Sequence, residues 1–187
     1  MNRKTVIGIV GMLFLGGLCV VGRLVDHAPN FTPVLAVALF AGFLYSRRAV
    51  AVMVILAAMA ISDAMIGFYP LVVMLTVYAA LLFPIALRPL LRRVTAGRVL
   101  AATLFSSVVF FVSTNLAHWA FMGMYARSPE GLVHCFAAAL PFFRYQIAGD
   151  FFFSSVLFGG YVLVRQFRAF GRRRPADERR EVFSLHG

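Results

Sequence analysis

The chain has 187 residues, of which 61% are hydrophobic and only 13% charged, and its mean hydropathy is +0.87. That composition excludes an ordinary water-soluble globular domain and places the chain among integral membrane proteins. A formal charge of +11 would suit nucleic acid, but its distribution along the chain is that of a membrane protein.

An α-helix needs about 20 apolar residues to cross a hydrocarbon layer about 30 Å thick. In chain order, spans are predicted at residues 5–25, 31–46, 49–67, 70–88, 99–122 and 146–167. The first opens on Asn2-Arg3-Lys4, as a secretory signal does. Its apolar run is longer than the usual ~7–15 residues and no A-x-A-like site follows it, so it reads as a retained helix. Residues 131–143 are apolar but too short to cross, and are predicted to form a separate interfacial or re-entrant helix between the fifth and sixth spans. The expected architecture is an all-α bundle of six transmembrane helices in one domain, residues 1–167, followed by a basic tail, residues 168–187.

With the N-terminus cytoplasmic, fifteen of the eighteen basic residues fall on the inner side, and only Arg23, Arg127 and Arg144 on the outer. This asymmetry predicts a multi-pass protein with both termini in the cytoplasm. The basic tail then meets anionic lipid, and no nucleic-acid partner is expected.

Between the first two spans lies Asp26-His27-Ala28-Pro29-Asn30-Phe31-Thr32-Pro33. Pro29 and Pro33 fix φ, remove two backbone donors and bias Ala28 and Thr32 toward extended conformations. Such a frame can hold His27 and Asn30 in one direction, as a binding site requires. His118, His134, Asp63, Glu130 and Asp150 fall on the same outer half. A carboxylate within a span costs about 2.5–3.5 kcal/mol even on gentle insertion scales. Asp63 and Asp150 should therefore face either a cavity or a partner, and the available partners on the outer half are Arg23, Arg144 and the histidines.

In the fifth span Ser107, Phe111, Thr114 or Asn115, and His118 share a helical face; in the sixth, Gln146, Asp150 and Ser154 are spaced by four. The serines fit hydrogen bonding between helices. Trp119 and Tyr125 suit an aromatic belt or stacking on a planar ligand. Cys19 and Cys135 have no metal-ligand spacing, so no metal site is expected. No G-x-S-x-G, H-E-x-x-H, P-loop or G-x-G-x-x-G occurs, so neither catalytic residues nor a cofactor is expected, and any energy for transport comes from an ion gradient or another subunit.

The stretches His27-Ala-Pro-Asn-Phe-Thr-Pro, Ile61-Ser-Asp-Ala-Met-Ile-Gly-Phe-Tyr-Pro, Ser113-Thr-Asn-Leu-Ala-His-Trp, Ala138-Ala-Leu-Pro-Phe-Phe-Arg and Gly149-Asp-Phe-Phe-Phe-Ser resemble the DUF6580 family of small bacterial membrane proteins assigned to transport. In size and layout these are similar to the substrate-binding S components of energy-coupling-factor (ECF) vitamin transporters. That resemblance implies a six-helix bundle in the bacterial inner (cytoplasmic) membrane with an outward-facing pocket. It also implies a partner, a transmembrane coupling protein carrying ATPase subunits, and a vitamin or cofactor precursor as the small-molecule substrate. In this reading His27, Asn30, Asp63, Asn115, His118, Arg144 and Asp150 supply hydrogen bonds and charge, Tyr69 and Trp119 stack, and residues 131–143 form a lid. A non-transporting scaffold or assembly subunit, binding a partner protein at its polar outer rim, is the alternative.

Overall fold

The computed structural model describes residues 2–26 and 28–184, with side chains through 170 other than those of residues 3 and 4. Among the described residues there are six α-helices and one 3-10 turn: α1 (Arg3–Leu24), α2 (Val34–Leu44), α3 (Arg48–Ile66), α4 (Leu71–Ala86), the turn Arg88–Leu91, α5 (Ala96–Phe121) and α6 (Pro129–Ser184). All but α2 are long and apolar enough to cross a membrane. Leu13, Phe14, Phe68 and Phe167 are among many large apolar side chains that the bundle leaves exposed, which is the surface lipid would cover. The protein has a multi-pass helical membrane architecture.

The second predicted span, residues 31–46, contracts to eleven helical residues, about 16 Å of helix. Pro33 stands at its N-cap and Tyr45 turns to an extended backbone, φ −88° and ψ 124°, at its other end. Nine of the eleven residues, Val34 to Gly42, are buried, and α2 packs against all five other α-helices. It is the central rod of the bundle, which explains why no polar face interrupts its sequence: every side is core. Its approach to α4 needs Gly42, where a Cβ would lie 2.7 Å from the Ile85 Cα. Phe40 and Phe43 meet Phe158 and Tyr161 of α6 with ring centroids 5.0–6.4 Å apart. Arg88 caps the end of α2, donating to the carbonyls of Tyr45 at 3.2 Å and Ser46 at 2.7 Å. A cation at a helix C-terminus satisfies acceptors that the helix itself leaves unpaired.

The separate interfacial helix expected at residues 131–143 does not form. Residues 129–184 are one continuous helix, because nothing between Phe143 and Gln146 terminates it. Pro141 removes one backbone donor, a loss that helices packed on neighbours tolerate. From Pro129 to Phe170 the apolar part of α6 has 42 residues, about 63 Å, roughly twice the thickness of a hydrocarbon core. The boundary expected at residue 167 is likewise unmarked in the backbone, which stays helical through Ser184.

Candidate functional site

Because α2 is short, the 28–33 segment descends onto the bundle, from the exposed Pro29 and Asn30 to the buried Pro33. Phe31 N–H donates to the Ala28 carbonyl at 3.0 Å, closing a turn with Pro29 second and Asn30 third. Asn30 has φ 64°, the one positive-φ residue other than glycine among those described. Proline followed by a left-handed glycine or asparagine is the residue pattern of a type II turn. Phe31 then seats against Phe152 and Phe153 of α6, with centroids 6.0 and 5.6 Å away. A Cβ on Gly149 would stand 3.1 Å from the Phe31 Cα, so that glycine lets the turn dock on α6.

Above this turn lies a cavity of about 370 Å³, within the range of small-molecule sites. Asn30 lines it from the turn, Val73 and Val77 from α4, Phe110, Phe111, Thr114, Asn115 and His118 from α5, and Cys135, Ala138, Ala139, Phe142 and Gln146 from α6; Tyr125 reaches it from the α5–α6 loop. Phe111 is held by stacking on Phe143 at 4.1 Å and by an edge contact with Phe136 at 5.5 Å. His118 and Tyr125 lie edge to face at 6.2 Å. A smaller void of about 50 Å³ adjoins it, sharing Asn30, Phe110 and Gln146 and reaching Thr32, Leu35, Leu81 and Asp150.

Several polar groups of this region each place a proton on the protein. Asn115 Nδ2 donates to the Phe111 carbonyl at 2.7 Å, and Thr114 Oγ1 to that of Phe110 at 2.8 Å. Gln146 Nε2 donates to the Ser107 carbonyl at 3.1 Å, and the Cys135 thiol faces the Asn115 carbonyl at 3.6 Å. Ser107 Oγ stands 2.7 Å from Asp150 Oδ2 and 2.9 Å from the Thr103 carbonyl; a hydroxyl has one proton and serves one of them at a time. Thr103 and Ser154 complete the α5–α6 seam at 3.0 Å.

The nine sequence candidates separate into groups. Asn30, Asn115 and His118 converge on the cavity, and Asp150 lines the void beside it. Asp63 is elsewhere: fully buried, it pairs with Arg23 at 2.6 Å and accepts from the Tyr78 hydroxyl at 2.7 Å. Arg23 also donates to Ser62 Oγ at 2.6 Å. The half-buried Tyr69 belongs to this second cluster. Burial first, and then the nearby Asp63 carboxylate, push its phenol above the usual value of 10, with Arg23 opposing them. Trp119 donates from Nε1 to the Ala126 carbonyl at 2.9 Å, fastening the α5–α6 loop. Arg144 is exposed and lies over its neighbour Tyr145, 2.8 Å from that hydroxyl. His27 lies outside the described residues.

Gln146, Thr114, Tyr125, Cys135 and the three phenylalanines of the cavity were not among the sequence candidates. A signal existed for several of them: Phe111 and Thr114 share the helical face of Asn115 and His118, Gln146 is four residues before Asp150, and Tyr125 suited stacking on a planar ligand. Among the described residues no group of three His, Cys, Asp or Glu could hold a metal ion.

A family model described as a family of unknown function, DUF6580, matches residues 2–174. Neither the curated proteins nor the solved structures give a match.

Proposed function

The chain belongs to the DUF6580 family, and within it we propose that this protein is a membrane-embedded binding and uptake protein for a small molecule, loaded from the outer face. The observation that carries this reading is the cavity above the short central helix, about 370 Å³ in volume and lined by Asn30, Asn115, His118 and Gln146 among aromatic walls. Sites for small molecules are concave, mostly apolar and furnished with a few convergent polar groups. The cavity has that character.

The charges support loading from the side that holds the cavity. Arg47, Arg48, Arg88, Arg92, Arg93 and Arg98 gather at the end of the bundle opposite the cavity, and cationic loops stay in the cytoplasm. On this reading the short α2 and the turn before it complete a six-helix bundle of the ECF S-component kind in the bacterial inner membrane. A coupling protein with ATPase subunits would supply the energy, and a vitamin or cofactor precursor is the substrate.

The test is a thermal-shift screen of the detergent-solubilised full chain against vitamins, their precursors and metal ions, repeated on Asn115→Leu. A hit that raises the midpoint of the wild type and not of Asn115→Leu supports the assignment. Silence across the panel, or a hit unaffected by the substitution, counts against it and favours a scaffold.

A further inference from the structure

We propose that the ligand of this cavity carries a positively charged nitrogen, a small organic ammonium group on an apolar or aromatic body, with Asp150 as its counter-charge. The inference rests on the cavity being a ligand site and adds the class of ligand it takes.

Among the described residues two aspartates are buried, and their surroundings differ. Asp63 receives an arginine, a tyrosine hydroxyl and full enclosure. Asp150 is equally removed from solvent, at 2% exposure, yet the only ion pair among the described residues is Arg23–Asp63. Its described donors are neutral: the Ser107 hydroxyl, whose single proton is shared with the Thr103 carbonyl, and the Gln146 side chain. A carboxylate offers about four acceptor positions. The remaining capacity lies beside a void, where the carboxyl group can serve as counter-charge to a cation that enters.

The lining agrees with this. The cavity and the void beside it hold no lysine or arginine, and their other titratable groups are His118, Tyr125 and Cys135. Thr114, Asn115 and Gln146 each direct a proton at a backbone carbonyl. Their side-chain oxygens stay available as acceptors for a molecule rich in N–H donors. Phe110, Phe111 and Phe142 line the cavity, and aromatic faces attract a desolvated cation. An anionic ligand would meet the Asp150 carboxyl group, with no lysine or arginine in the lining to receive it.

The experiment uses three probes of one shape on the full chain in detergent micelles: 2-phenylethylamine, 2-phenylethanol and phenylacetate at neutral pH and constant sodium. Affinities are read by isothermal titration on the wild type and on Asp150→Asn, which keeps the shape of the side chain and removes its charge. The amine should bind the wild type at least about ten-fold more tightly than the alcohol, with the acid weakest, because a hydrogen bond to a charged group is worth about one to two decades of affinity. Asp150→Asn should abolish that preference while leaving the alcohol nearly unchanged. Equal binding of all three by the wild type overturns the cationic assignment and leaves the cavity a ligand site. A preference that survives Asp150→Asn overturns the role of Asp150. Failure of the wild type to bind any of the three overturns the inference together with the reading of the cavity. Because the comparison of probes on the wild type decides by itself, a poorly folding variant does not rescue the proposal.

Discussion

Replacing Arg23 by Met should destabilise the protein through Asp63, and the structure sets the size of the effect. The guanidinium touches Asp63 and Ser62, each at 2.6 Å, and lies 3.1 Å from the Met59 sulfur. Asp63 has 1% of its side chain exposed and Arg23 16%. Removing one partner of a buried pair typically costs about 3–5 kcal/mol, because an uncompensated charge remains. The partial exposure of Arg23 puts the expectation at the lower end, about 3 kcal/mol. Asp63→Asn in the same background removes the stranded charge and keeps an acceptor for the Tyr78 hydroxyl, so Arg23→Met/Asp63→Asn should recover about 2 kcal/mol, within the usual range of coupling between contacting residues. Unfolding by sodium dodecyl sulfate in mixed micelles, followed by circular dichroism, gives the four free energies of the cycle. A single substitution costing under about 1 kcal/mol, the value of an exposed pair, would refute the reasoning, as would a double variant equal to the sum of its parts.

Gly42→Ala places a Cβ 2.7 Å from the Ile85 backbone and should lower stability by about 1–3 kcal/mol, whereas Gly16→Ala, with nothing within 4 Å, should be neutral or stabilising; thermal midpoints of the two variants test the contrast. Asn30→Ala should cost about 1–2 kcal/mol, since φ 64° is unfavourable for a residue with a Cβ and no local hydrogen-bonding side chain; Asn30→Gly should not, and equal losses in both would remove the backbone explanation. Tyr69 should titrate above 10, mainly through burial and then through Asp63. Its folded-state pKa exceeds the unfolded one, so its contribution to stability is complete below 10 and is lost as pH rises through the raised value. Tyr69→Phe should remove a late component from the alkaline absorbance titration of tyrosine, and an unchanged curve would contradict the shift.

The membrane class and the spans of α1, α3, α4 and α5 were legible to within a few residues, because long apolar runs and their flanking arginines carry that information locally. The role of residues 31–46 was not. A fully apolar eleven-residue helix between two breaks looks like a short span, and only its contacts with all five other helices identify it as the buried rod that leaves space at one end. The fusion of residues 131–143 with the last span was hidden for a similar reason: Pro141 and Arg144 resemble a boundary, yet neither ends a helix supported by neighbours. Among site residues, the face shared by Asn115 and His118 was readable from helical periodicity. The separation of Asp63 from Asp150 was not, because it depends on Arg23 of α1 reaching α3 and on Ser107 of α5 reaching α6. Tyr69 and Arg144 share the cavity's end of the sequence topology without sharing its lining, and no spacing rule distinguishes those two conditions.

Native mass spectrometry of the full chain, purified in mild detergent from its own membranes, tests the central claim most directly when run beside Ala139→Phe, which fills the cavity from α6. The wild type should carry a small molecule, released on collisional activation, and Ala139→Phe, folded and equally abundant, should carry none. A wild type free of any bound small molecule, or a variant with undiminished occupancy, would contradict it.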